Sequence, residues 1–84
     1  MDIIELSKKA KQELESLTGL KAASVIGAAQ EEGQWVVTVE MVEKKSIPDS
    51  MDILGAYDIK MSAEGEVLDF ARTKLRKRGD TVEA

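Results

Sequence analysis

EVLDFARTKLRKR, residues 66–78, has two readings, and the fold turns on which of them holds. As a helix, Val67, Phe70, Ala71, Lys74 and Leu75 form a stripe, and the basic half has fair helix propensity. As a strand, Leu68, Phe70, Arg72, Lys74, Arg76 and Arg78 share one face that begins apolar and becomes cationic. The strand is preferred. Ser62-Ala63-Glu64-Gly65 makes a turn directly after another strand-patterned segment and leaves little room for a crossover.

That preceding segment, residues 53–61, alternates clearly. Leu54, Ala56, Asp58 and Lys60 face one way; Ile53, Tyr57, Ile59 and Met61 face the other, with Gly55 standing where a side chain would be. Upstream, Trp35, Val37, Val39 and Met41 alternate with Val36, Thr38, Glu40 and Val42, which predicts a second well-patterned strand. The two are separated by a connector of about eight to ten residues, longer than the two to five usual in hairpins. Pro48 ends the strand before it, because proline has no N–H for a ladder, and Ser46 or Asp49 can cap a turn of helix there. Glu31-Glu32-Gly33-Gln34 has turn chemistry, and residues 20–30 read as a loosely alternating strand of small residues around Val25 and Ile26.

At the front of the chain, Asp2 and Glu5 have capping-box spacing, and Ile3, Leu6, Ala10, Leu14 and Leu17 recur every three or four residues. This predicts an amphipathic helix closed by Gly19 in the left-handed conformation. The expected fold class is therefore α+β: an N-terminal helix packed on a four-stranded antiparallel β-meander, cystatin-like or PepSY-like, in one domain over residues 1–79. Residues 80–84 are expected to be a flexible tail.

Composition narrows the function. A chain of 84 residues buries only about 60–65% of its unfolded surface, so its core is thin and partner surface matters. With no histidine and no cysteine, disulfides, thiolate metal sites and the usual nucleophiles and near-neutral bases are absent. No phosphate-cradling glycine motif occurs, so neither an enzyme nor a bound cofactor is expected. Asp49, Asp52 and Asp58 are the nearest thing to a hard-cation set, yet loop aspartates more often serve as caps. No signal peptide and no apolar run of membrane length is seen, which points to a cytoplasmic protein with no membrane partner.

The charge is polarised. Residues 1–71 hold fourteen acids against seven bases, whereas residues 72–78 hold five bases and no acid. Such a strip suits an acidic protein surface, nucleic acid, or pairing with the molecule's own acids. Base-stacking aromatics are sparse, since only Trp35, Tyr57 and Phe70 exist, and Trp35 and Phe70 read as core.

One resemblance covers nearly the whole chain. Leu17-Thr18-Gly19, Val25, Gly33-x-Trp35, Val39-Glu40-Met41-Val42-Glu43, Ile47-Pro48, Asp52-Ile53-Leu54-x-x-Tyr57, Gly65-Glu66 and Phe70-x-Arg72 follow in an order similar to the gas vesicle protein GvpO family. That family commonly has arginine where Ser46 stands and tyrosine where Phe70 stands. The resemblance implies a noncatalytic accessory protein of gas vesicle formation that works by protein–protein interaction in assembly or its regulation, with other gas vesicle proteins as partners. It also implies association with gas vesicles or their assembly intermediates.

Together these readings single out a candidate docking rim of Glu40, Glu43, Pro48, Asp49 and Asp52, with the basic residues Arg72, Lys74, Arg76 and Arg78 as a second contact strip. Pro48 limits conformational freedom before binding, and acids offer charge-assisted hydrogen bonds to a basic partner. The competing expectation is that Glu40 and Glu43 pair with Arg72 or Lys74 of a neighbouring strand. Two other functions stay open at this point: a nucleic-acid-binding regulator, and a generic cystatin-like module that forms a homodimer through its edge strands.

Overall fold

A computed structural model describes residues 2–48 and 51–79; Asp49 and the expected tail at 80–84 lie outside them. The chain runs α1 (Ile3–Thr18), β1 (Lys21–Glu31), β2 (Gln34–Lys44), β3 (Ile53–Met61) and β4 (Val67–Lys77). The strands form one antiparallel sheet in the order β1-β2-β3-β4, so the α+β meander is observed and the last segment is a strand.

Local signals set the helix. Asp2 accepts a hydrogen bond from the Glu5 N–H at 2.9 Å, and Gly19, at φ 73°, donates its N–H to the Glu15 carbonyl. Leu6, Ala10 and Leu14, one turn apart, are buried against β1 and β2, whereas Ile3 and Leu17 stay about half exposed at the helix ends. The apolar stripe is thus shorter in packing than in sequence. Opposite it lie Val37, Val39 and Met41 of β2 and Tyr57, Ile59 and Met61 of β3.

The loose alternation of β1 has a structural cause. Its register skips Ala23 and Ile26, and these two bulges convert a period of two into one of three. Ala22, Val25 and Ala28 consequently pack against the core, and Ile26 is turned out.

Bulges also correct the reading of β4. Its register skips Leu68 and Thr73, so Phe70 and Arg72 lie across from Ile59 and Tyr57 on the helix side. Lys74 and Arg76 lie across from Ala56 and Leu54 on the far side. The single cationic face expected from residues 68–78 is therefore split between the two faces of the sheet.

Candidate protein-docking site

The connector between β2 and β3 is organised by one buried carboxylate. Asp52 is 0% exposed. Its Oδ1 accepts from the Ser46 N–H at 2.6 Å, and its Oδ2 meets Arg78 Nε at 3.3 Å and Lys45 Nζ at 3.8 Å. Its own carbonyl accepts from the Arg78 N–H at 2.7 Å. One residue thus ties the start of the connector, the start of β3 and the end of β4 together. The Ser46 N–H bond, opposed by burial and aided by Arg78 and Lys45, holds the Asp52 carboxyl below its usual range.

A carboxyl whose pKa is lower folded than unfolded, where it is about 3.9, stabilises the fold above that pH and loses its contribution as pH falls through the folded value. Urea midpoints followed by Trp35 fluorescence are expected to drop below about pH 4. The gap between the protein and Asp52→Asn should narrow over the same range. A gap of constant size from neutral to strongly acidic pH would contradict the assignment.

Glu40 and Glu43 engage opposite faces of the sheet. Glu40 forms a two-pronged pair with Arg76, Nε to Oε2 at 2.6 Å and Nη2 to Oε1 at 2.8 Å, across the buried Leu54 and Ala56 of β3. On the helix side, Glu43 accepts from the Tyr57 hydroxyl at 2.5 Å and faces Arg72 Nη1 at 3.6 Å. Both acids reach past β3 to β4, so the partner strand is the next but one.

Gly55 makes the second reach possible. A Cβ there would stand 2.6 Å from Glu43 Oε1 and 2.9 Å from its Cγ, so the Glu43 side chain occupies the space a larger residue would fill. Burial first, and then the Glu43 carboxylate, push the Tyr57 phenol above its usual value, with Arg72 opposing. Since Tyr57 is the one tyrosine, its ultraviolet titration is clean. We expect its midpoint above the ordinary 10.0, and a shift back toward that value in Gly55→Ala, which displaces Glu43. An unchanged midpoint in the variant would show that Glu43 does not govern the phenol.

The residues expected to form an exposed rim are therefore placed as follows. Glu40 and Asp52 are buried, Glu43 is half-buried, and Asp49 lies outside the described residues. Three of the five bases, Arg72, Arg76 and Arg78, face the molecule's own acids, which lowers the charge offered to a phosphate backbone. Lys74 is exposed and has no ion pair among the described residues. Asp58 accepts from Thr38 at 2.7 Å, and among the described residues no group of three acids could hold a metal ion.

What does project is apolar. Ile47 is 100% exposed, next to the exposed Pro48 across a cis peptide bond, and Met51 is 44% exposed. The Met51 N–H donates to the Pro48 carbonyl at 2.9 Å, closing the projecting turn. The sequence assigns no site role to Ile47, Met51, Gly55, Tyr57 or Lys45, although Ile47 and Tyr57 stand in the family motif and Gly55 interrupts a strand face. The blank that Gly55 leaves in an otherwise filled strand face was the available signal for the Glu43 site; nothing in the spacing signals that Ile47 is turned out.

The family model for gas vesicle synthesis protein GvpO matches residues 1–82. The chain belongs to the GvpO family. Gas vesicle protein O of a Streptomyces species is 34% identical over 67 residues, covering 80% of this chain and 52% of that protein. Gas vesicle protein O1 of Halobacterium salinarum is 29% identical over 75 residues, covering 89% and 63%. Gas vesicle protein O of Haloferax mediterranei is 40% identical over 58 residues, covering 69% and 41%. This GvpO-family chain thus spans about half the length of the curated relatives it matches. No solved structure matches it significantly. Among the described residues, no helix is long and apolar enough to cross a membrane.

Proposed function

We propose that the chain is a noncatalytic accessory component of gas vesicle formation that binds other gas vesicle proteins through the projecting β2–β3 connector. Membership of the GvpO family supports the context. The observation that carries the binding role is Ile47, fully in solvent on a connector whose base is tied to the sheet by Asp52. An apolar side chain on a connector that is already held in place loses little entropy when a partner covers it.

In this reading Ile47, Pro48 and Met51 touch the partner, and Lys74, exposed on β4 opposite Ala56, lies outside that contact. Glu40, Glu43, Asp52, Arg72, Arg76 and Arg78 act from behind by fixing the connector and the end of β4. Asp49, which lies outside the described residues, belongs with the contact residues in this reading.

Affinity purification from cells that make gas vesicles is expected to recover other gas vesicle proteins with the chain. Ile47→Asp and Met51→Asp should each reduce that recovery strongly while leaving thermal unfolding unchanged, because neither side chain is in the core. Undiminished recovery with both variants would remove the connector from the interface. Recovery of no gas vesicle protein at all would remove the interaction reading itself.

A further inference from the structure

The sheet face turned away from α1 is open, and it is electrically dipolar along the strands. At the end where β1 turns into β2 and β3 into β4, it carries Glu31, Asp58, Lys60 and Asp69, a surplus of two negative charges. At the connector end it carries Lys21, Lys45, Lys74, Arg76 and Arg78 against Glu40 and Asp52, a surplus of three positive charges. Between them Gly27 and Thr38 are paired in register, and the buried Leu54 and Ala56 lie beneath the Glu40–Arg76 pair.

We infer that this face docks a second copy of the chain, the two sheets stacked about a twofold axis that lies in the interface and runs across the strands. Such an axis reverses strand direction, so the acidic end of each copy meets the basic end of the other, and the patch is self-complementary as an isologous interface requires. Parallel stacking would set like charges together. A hollow of about 300 Å³ at the acidic end, lined by Glu31, Asp58 and Asp69 among others, lies where the Lys74 of the other copy arrives.

Size and edges support the same partner. Four strands about 4.8 Å apart, each of nine to eleven residues at about 3.3 Å per residue, present roughly 600 Å² per copy. Two such faces bury roughly 1,200 Å² in total, within the range of specific interfaces. Both edges of the sheet, by contrast, carry two bulges each, and bulges bend an edge away from strand addition. The face is the better dimer surface.

The test is sedimentation equilibrium over a concentration series at low and high salt, with charge reversals at Asp69 and Lys74, both exposed. A dimer that weakens as salt rises is expected. Asp69→Lys and Lys74→Glu should each weaken it about tenfold or more at low salt, because each puts like charges at both twofold-related contacts. An equimolar mixture of the two variants, or the double variant, should recover the lost affinity, since every reversed residue then faces its opposite. A chain that is monomeric at every concentration overturns the proposal. So does a dimer indifferent to both reversals, which would mean edge pairing, and so does a failure of the mixture to rescue.

Discussion

Leu14→Ala is expected to lower the unfolding free energy by about 2–5 kcal/mol, the usual range for emptying a buried leucine site. Leu14 is 0% exposed and one of three buried residues, with Leu6 and Ala10, through which α1 covers the sheet. The facing residues Val37, Val39 and Ile59 sit on paired strands, and a backbone held in a ladder collapses poorly into a cavity. A domain of this length has a total stability of about 4–12 kcal/mol, so the variant stands near the limit of folding. Leu17, half exposed at the helix end, is the control; Leu17→Ala should cost less than about 1 kcal/mol. Urea unfolding followed by circular dichroism measures both. Equal, small losses would mean that α1 does not rest on the sheet through Leu14.

Glu40→Ala should cost about 1.5–3 kcal/mol, the range for a charge-assisted hydrogen bond removed from a largely water-excluded site. Glu40 is 8% exposed and meets the Arg76 guanidinium through two oxygens. Truncating it leaves a half-buried guanidinium with two donors to re-hydrate over Leu54 and Ala56. Arg76→Ala should cost a similar amount, and the double variant clearly less than the two losses added. A coupling of about 1 kcal/mol or more in that cycle is expected. Strict additivity would show that the pair contributes nothing. The same cycle bears on function, because a destabilised Glu40 variant that also loses partners would otherwise be mistaken for a contact residue.

Legibility varied along the chain for physical reasons. The helix was readable because its signals are local: a carboxylate three residues before the amide it caps, a four-residue apolar repeat, and a glycine at the end. β2 and β3 were readable because each buries one face, which forces a period of two. β1 was readable only as a loose strand, and the faces of β4 were misassigned after Thr73, because a bulge leaves no mark in residue identity. The acids of the connector were recognised as special, yet their partners were not legible. Glu40 and Glu43 pair two strands away, over Ala56 and Gly55, and such a reach depends on registers in two ladders at once. The family resemblance, which rests on the order of motifs, was correct where geometry was not.

By itself, then, the sequence determined the α+β class, the helix and its caps, the meander and the family, since each follows from short-range periodicity or motif order. Tertiary structure alone decided which charges are spent inside the molecule and which side chains project. Burying Asp52 and Glu40 while turning Ile47 into solvent inverts the usual assignment of polar outside and apolar inside. That inversion arises because a carboxylate surrounded by donors is stable in the interior, and only the folded registers bring those donors within reach.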